Sequence, residues 1–253
     1  MAAGSKVALV IGGSGGIGSA VCAKLAADGF DVAVSYNANA AAAERVAEAV
    51  RNAGRRAEAV AVDVTDPAGV KAFVDGAATR LGPPDAVVYA GGPFVHAKLI
   101  AELTPDEWSH AVDVDVKGCF HLIWAALPHL KARRAGAIVA IITTAVDKAP
   151  TRDTLSASPK AAVETLLRGV AKEEGRNGIR ANCVGPGWVD AGMGRQVMQT
   201  ELSAENVERI KRSVPLRRFG TAEEIAEAVA FLLSEKAAYI TGQTILVDGG
   251  MSL

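Results

Sequence analysis

The sequence predicts an α/β protein in which helices cover both faces of a doubly wound, mostly parallel sheet. Short β-rich runs alternate with longer helical patterns along most of the 253 residues. Within the short runs the apolar character is continuous rather than alternating, as expected for strands buried on both faces. Strand–helix alternation of this kind calls for right-handed crossovers. No internal repeat, low-complexity linker or Pro/Ser-rich boundary interrupts the pattern, so one domain over residues 1–253 is the simplest organisation.

The elements follow in order. Residues 6–11 form a first strand, and residues 16–29 a helix with Ile17, Val21 and Leu25 on one face. Residues 31–36 are a second strand. The Ala/Glu-rich stretch 40–54 is a helix that stops at a glycine. Residues 57–62, 86–90, 137–143 and 179–184 are expected as strands three to six. Residues 67–81 are a helix, 105–133 a long helix open to interruption, and 159–177 a helix starting at Pro159. Residues 222–234 are a helix, and 244–247 a last strand. The segment 187–218 is longer than a connection needs and partly amphipathic through Val207, Ile210 and Val214, which suits a substrate lid.

Bulk properties narrow the function classes. A net charge of −1 gives no field that would draw nucleic acid or an anionic membrane to the whole surface. No apolar run approaches the length of a membrane span. Cys22, Cys119 and Cys183 sit in apolar stretches at no metal-ligand spacing, and read as buried hydrophobes in a reducing, cytoplasmic setting. The expected partner is a small-molecule substrate, with no nucleic acid, membrane or metal.

The most informative local pattern is Gly12-Gly13-Ser14-Gly15-Gly16-Ile17-Gly18, between the first strand and its helix. Glycines let the backbone turn tightly and approach a pyrophosphate. The helix N-terminus adds free amides and partial positive charge. This is the phosphate cradle of a dinucleotide. The second strand ends at Tyr36-Asn37, without the carboxylate that would hold a ribose 2′-hydroxyl. The missing acid favours NADP and leaves NAD open, although neither Arg nor Lys is adjacent. Asp63-Val64 is placed to flank the adenine, and Asp63 is equally suited to a helix N-cap region before Pro67.

The chain resembles the short-chain dehydrogenase/reductase family, most of all its bacterial 3-oxoacyl carrier-protein reductases. The resemblance rests on Gly12-x-x-x-Gly16-Ile17-Gly18, Asp63-Val64, the segment from Trp108 to Gly118, Pro186-Gly187, Pro215 to Gly220, Thr241-Gly242-Gln243 and Val247-Asp248-Gly249-Gly250. It implies a Rossmann fold, a nicotinamide cofactor and a homo-oligomer, tetramer or dimer, built on residues 112–130, 161–174 and 244–247. It also implies cofactor contacts from Gly12, Ser14, Gly15, Gly16, Ile17, Gly18, Tyr36, Asn37, Asp63, Val64, Ala90, Gly91, Lys160, Pro186, Gly187 and Val189.

The family's catalytic set of Asn, Ser, Tyr and Lys is only partly matched. The Lys is Lys160, one turn into the expected helix. The Tyr falls on Ser156, the Ser on Thr143 and the Asn on Asp115. The Thr after the Pro-Gly turn appears as Ala191, and the motif after strand four as Tyr89-Ala90-Gly91-Gly92. In the family the Tyr gives a proton to the carbonyl oxygen, with the Lys cation lowering its pKa from about 10. A serine hydroxyl is too weak an acid to replace it. Of Tyr36, Tyr89 and Tyr239, none lies between strand five and the following helix.

Three functions stay open. One is hydride transfer to an activated C=C, with Thr143, Ser156 or water polarising the substrate and solvent or Asp115 supplying the carbon proton. A second is reduction of a carbonyl or imine with Asp115, His96, Asp147 or Asp153 as the acid. The third is cofactor binding with little or no catalysis, in a regulatory or scaffold role. Asp115 carries a further ambiguity. As a charge partner of Lys160 it would be a poor proton donor; in a dry site its pKa would rise. His96 reads equally well as a plain loop residue, and residues 147–153 as a solvated charged loop.

Overall fold

Residues 5–253 are described by a computed structural model. Seven parallel strands stand in the order β3-β2-β1-β4-β5-β6-β7. They are β1 (Lys6–Ile11), β2 (Phe30–Tyr36), β3 (Ala57–Ala61), β4 (Ala86–Tyr89), β5 (Gly136–Ile141), β6 (Ile179–Pro186) and β7 (Thr244–Val247). The predicted α/β class and doubly wound sheet are borne out, and every strand pairing is parallel.

Successive side chains of a strand point to opposite faces, and here both faces are covered. From β1, Val7, Leu9 and Ile11 join the core under α3 (Pro67–Arg80), α5 (Gly118–Arg133) and α7 (Thr154–Glu174). Ala8 and Val10 join the opposite core under α1 (Gly16–Ala27), α2 (Ala40–Asn52) and α10 (Ala222–Leu233). An unbroken apolar run is the sequence signature of that double burial. Cys22, Cys119 and Cys183 are free and buried, so they pack as small apolar side chains.

Strand order reverses at β1. The crevice beyond the carboxyl ends of β1 and β4 is therefore where such sheets take ligands. Ile11 lies opposite Tyr89 in the register, and the Ala90 amide donates to the Ile11 carbonyl at 3.0 Å. Gly12 and Ala90 thus leave the sheet side by side.

One expectation, the start of α7, needs correction, and two segments gain detail. Residues 105–133 form one helical run, but its middle is a π turn (Asp113–Lys117) between α4 (Pro105–Val112) and α5. The helix expected from Pro159 begins five residues earlier, at Thr154, with Pro159 buried inside it. Proline suits a helix's first turn, whereas here tertiary packing holds an added turn before it. Ser156 and Lys160 therefore share one helix, and Lys160 lies two turns in rather than one. The segment 187–218 contains two helices, α8 (Gly192–Thr200) and α9 (Ala204–Ser213), and a short α6 (Ala145–Lys148) follows β5.

The π turn is fastened to the sheet by Tyr89. Its buried hydroxyl donates to the Val114 carbonyl at 2.5 Å, and burial pushes its pKa well above the usual value. Gly118 makes room for it, since a Cβ there would lie 2.7 Å from the phenol oxygen. Replacing Tyr89 with Phe keeps the ring and removes the bond. The expected cost is about 1 kcal/mol, read by urea denaturation, with faster amide exchange at Val114–Lys117. Unchanged exchange would show that the turn holds itself.

Candidate active site

The cradle is built by close backbone approach. Gly12 has φ +73°, and a Cβ on it would stand 2.5 Å from the Ala90 carbonyl oxygen. Its amide donates to Ser35 Oγ at 3.1 Å, and the Gly15 amide returns to the Gly12 carbonyl at 3.0 Å. Helix α1 then starts at Gly16 with no side-chain cap. Its first-turn amides are free to point at an anion, the electrostatic requirement for a diphosphate. Gly16 also receives the N-terminus of α8: a Cβ on it would collide with the Gly192 amide. The segment expected as a lid thus leans directly on the cradle.

Next to the cradle, α1 and α2 enclose a cavity of about 330 Å³, lined by Ser14, Ser19, Ala23, Ala42, Arg45, Val46 and Ala49. Arg45 is exposed and makes no ion pair among the described residues. Sequence reading missed it because it stands eight positions beyond Asn37. The findable signal was helical: Ala42, Arg45, Val46 and Ala49 repeat at the spacing of one face. Tyr36 is half-buried against the core, and Asn37 is exposed at the end of β2.

Asp63 accepts from the Thr65 amide at 2.9 Å and the Thr65 hydroxyl at 2.7 Å, which holds its carboxyl below its usual pKa. The N-cap of α3 is Asp66, not Asp63. Val64 packs partly against the core beneath Gly118. Pro186 and Val189 are buried and Gly187 half-buried; the Val189 side chain lies in the core, so its backbone is the part left for a ligand. Ala90 and Gly91 follow β4 at the crevice.

The charged centre is the pair Lys160–Asp115, Nζ to Oδ2 at 2.8 Å. Asp115 is only 2 % exposed. Burial pushes its carboxyl above the usual range, with the Lys160 ammonium pulling the other way. The ambiguity left by the sequence thus resolves as both at once: Asp115 is a charge partner in a dry position. Gly92 passes over the pair, where a Cβ would lie 3.3 Å from Asp115 Oδ1 and 3.6 Å from Lys160 Nζ. Thr143 is half-buried just beyond β5; its Oγ accepts from the Ala145 amide at 3.2 Å, which leaves its proton free to donate. Ser156 is half-buried on α7.

The other acid candidates separate. His96 Nδ1 meets Glu201 Oε1 at 2.8 Å, joining the β4–α4 loop to the residue that ends α8. Asp147 is exposed on α6. Tyr89 is spent on Val114, and Tyr239 is fully exposed.

Comparison with known proteins agrees with this architecture. Residues 12–252 match the family described as "Enoyl-(Acyl carrier protein) reductase". The 3-oxoacyl-[acyl-carrier-protein] reductase FabG of Staphylococcus aureus (strain Mu50) is 35 % identical over 98 % of each chain. A short-chain dehydrogenase/reductase from Serratia marcescens superposes with a TM-score of 0.89 at 34 % identity, covering 99 % of both chains. A blue fluorescent protein from a metagenomic library, in complex with NADPH, gives the same TM-score, identity and coverage. The chain belongs to the short-chain dehydrogenase/reductase family. As a family member it is an oxidoreductase. Among the described residues no helix is long and apolar enough to cross a membrane.

Removing one charge of the central pair should be worse than removing both. Lys160→Met strands a buried carboxylate, with an expected loss of about 3 kcal/mol in urea denaturation. Lys160→Met combined with Asp115→Leu should recover most of that loss. Strictly additive costs would show that the two charges do not support each other.

Proposed function

We propose that this protein is an NADPH-dependent reductase that delivers hydride to a polarised double bond of a small organic substrate. The observation that carries the reading is convergence. The glycine cradle, the Lys160 ammonium and the Thr143 hydroxyl all stand at the carboxyl edge of the sheet, where its strand order reverses.

NADPH supplies the hydride when bound; the chain binds, orients and polarises. The amides of Gly16, Ile17 and Gly18 would hold the diphosphate, with Gly12, Ser14 and Gly15 shaping the turn. Asp63, Val64, Tyr36 and Asn37 would border the adenosine half. Ala90, Gly91, Pro186, Gly187 and Val189 would border the nicotinamide half. Lys160 would bind the nicotinamide ribose, held in place by Asp115. Thr143 and Ser156 would donate hydrogen bonds to the substrate.

The preference for NADP follows from charge. A 2′-phosphate meets no carboxylate at Tyr36-Asn37 and finds the Arg45 guanidinium lining the cavity beside Ser14. Arg pairs well with phosphate through parallel N–H bonds. The neighbouring blue fluorescent protein holding NADPH supports the same cofactor.

A homo-oligomer is part of this reading. Trp108, Phe120 and Trp124 are large apolar side chains left exposed on α4 and α5, the kind of surface that a second copy covers. Sedimentation equilibrium should give a dimer or tetramer; a monomer at micromolar concentration would contradict it.

The test is NADPH oxidation against a panel of ketones, imines and enoyl compounds, with NADPH fluorescence recorded in parallel. Turnover of at least one class is expected. Binding without any turnover would favour the non-catalytic alternative, whose motive is the absent tyrosine. Arg45→Ala should weaken NADPH binding about tenfold, the scale of one charge-assisted contact, and leave NADH binding nearly unchanged. Ser156→Tyr should raise carbonyl reduction if the pocket is otherwise that of a ketone reductase.

A further inference from the structure

The absent phenol leaves a proton to be supplied, and one carboxyl on α7 is placed for it. Asp153 occupies the N-cap position of that helix but makes no capping hydrogen bond. Aspartate at this position ordinarily accepts from the first-turn amides. Here the carboxyl has no hydrogen-bond or ion-pair partner among the described residues and is half-buried. Its backbone is committed: the amide donates to Pro150 O at 3.2 Å, and the carbonyl accepts from Ser156 at 3.1 Å and Ala157 at 2.8 Å. The turn before it is strained, with Ala149 at φ +42° and Arg152 at φ +73°, values that L side chains rarely adopt.

Helical spacing puts Asp153 in line with the site. Positions 153, 156 and 160 fall within about 60° of one another around the helix axis. Lys160 meets Asp115 on the π turn, so this face of α7 looks onto the carboxyl edge of β4 and β5. Asp153 stands one turn before Ser156, the position that the family's tyrosine would occupy.

We propose that Asp153 is the proton donor of the reaction, replacing the tyrosine and directing the site toward carbonyl or imine substrates. This rests on the reductase reading given above. As hydride from the reduced nicotinamide bonds to the substrate carbon, the C=O or C=N π electrons move to oxygen or nitrogen. That atom takes the Asp153 proton. The products are an alcohol or amine, the oxidised nicotinamide and the Asp153 carboxylate, which regains its proton from water.

The carboxyl is held well above the ordinary aspartate range. Burial pushes Asp153 up to about 6, with the Lys160 ammonium opposing. The other charged groups on the surrounding elements are engaged or exposed. Arg152 meets Glu102 at 3.6 Å, Lys98 pairs with Glu107, Asp115 is held by Lys160, and Asp147 and Lys148 are exposed on α6. A raised acid pKa means that the folded state holds the proton between the unfolded value and about 6, and releases it above.

Carboxyl carbons observed by NMR in aspartate-labelled, cofactor-free protein should show one titration near pH 6 that Asp153→Asn removes. Reduction of acetoacetyl thioester, cyclohexanone and a cyclic imine by NADPH should be level below that pH and fall above it. Asp153→Asn should lower kcat about a hundredfold, the worth of a general acid, and abolish this pH dependence, while the NADPH Kd shifts less than about twofold. Asp153→Glu should restore part of the rate together with its pH profile. A titration near 4, or an unchanged rate and profile in Asp153→Asn with wild-type turnover intact, would overturn the assignment alone. Wild-type protein that binds NADPH and reduces none of the three would overturn both this assignment and the reductase reading.

Discussion

Two opposite charges, Lys160 and Asp115, meet 2.8 Å apart at the carboxyl edge of the sheet, and the geometry of the centre depends on that meeting. Neither is well placed alone. Asp115 sits on a π turn with almost no solvent contact, where an unpaired carboxylate would be costly. Lys160 sits on a helix that continues through a proline, and its ammonium is mostly buried. Attraction between them ties α7 to the helix that crosses β4, and Tyr89 ties the same turn to the sheet from below. A π turn widens the helix and re-aims one side chain; here that side chain is Asp115.

The cofactor end is organised by the absence of side chains. Gly12 and Gly16 are crowded against Ala90 and Gly192, so the cradle, the β4 loop and the start of α8 converge on one small volume. Helix α8 touches the glycine turn through Gly192 and the β4–α4 loop through the Glu201–His96 contact. The segment 187–218 is thus joined to both halves of the crevice.

Chemically, the centre sets one buried cation, Lys160, against the carboxyl of Asp115. Asp115 and Ser156 fall where the family resemblance implies an amide and a phenol, and on that reading a hydroxyl near pKa 10 is absent. Burial compensates in kind. It raises the Asp115 carboxyl above its usual range and the Asp153 carboxyl to about 6. In a wet site neither carboxyl would be raised in this way.

The sequence alone determined the sheet and its cradle. Continuous apolar runs and the spacing of Gly12, Gly16 and Gly18 are local properties, fixed by which residues can be buried on two faces and which can turn tightly. Through the family resemblance it also pointed to Lys160, Asp115, Thr143 and Ser156 as site candidates. It misplaced the start of α7, because Pro159 suits a helix's first turn and packing extends the helix before it. It left the state of Asp115 undecided and overlooked Arg45, because burial and charge pairing link residues far apart in the chain. Asp115 and Lys160 are separated by 45 positions, His96 and Glu201 by 105. Desolvation depends on everything that surrounds a group, so only the assembled tertiary structure decided which charges are paired, which are dry and which carboxyl is left without a partner.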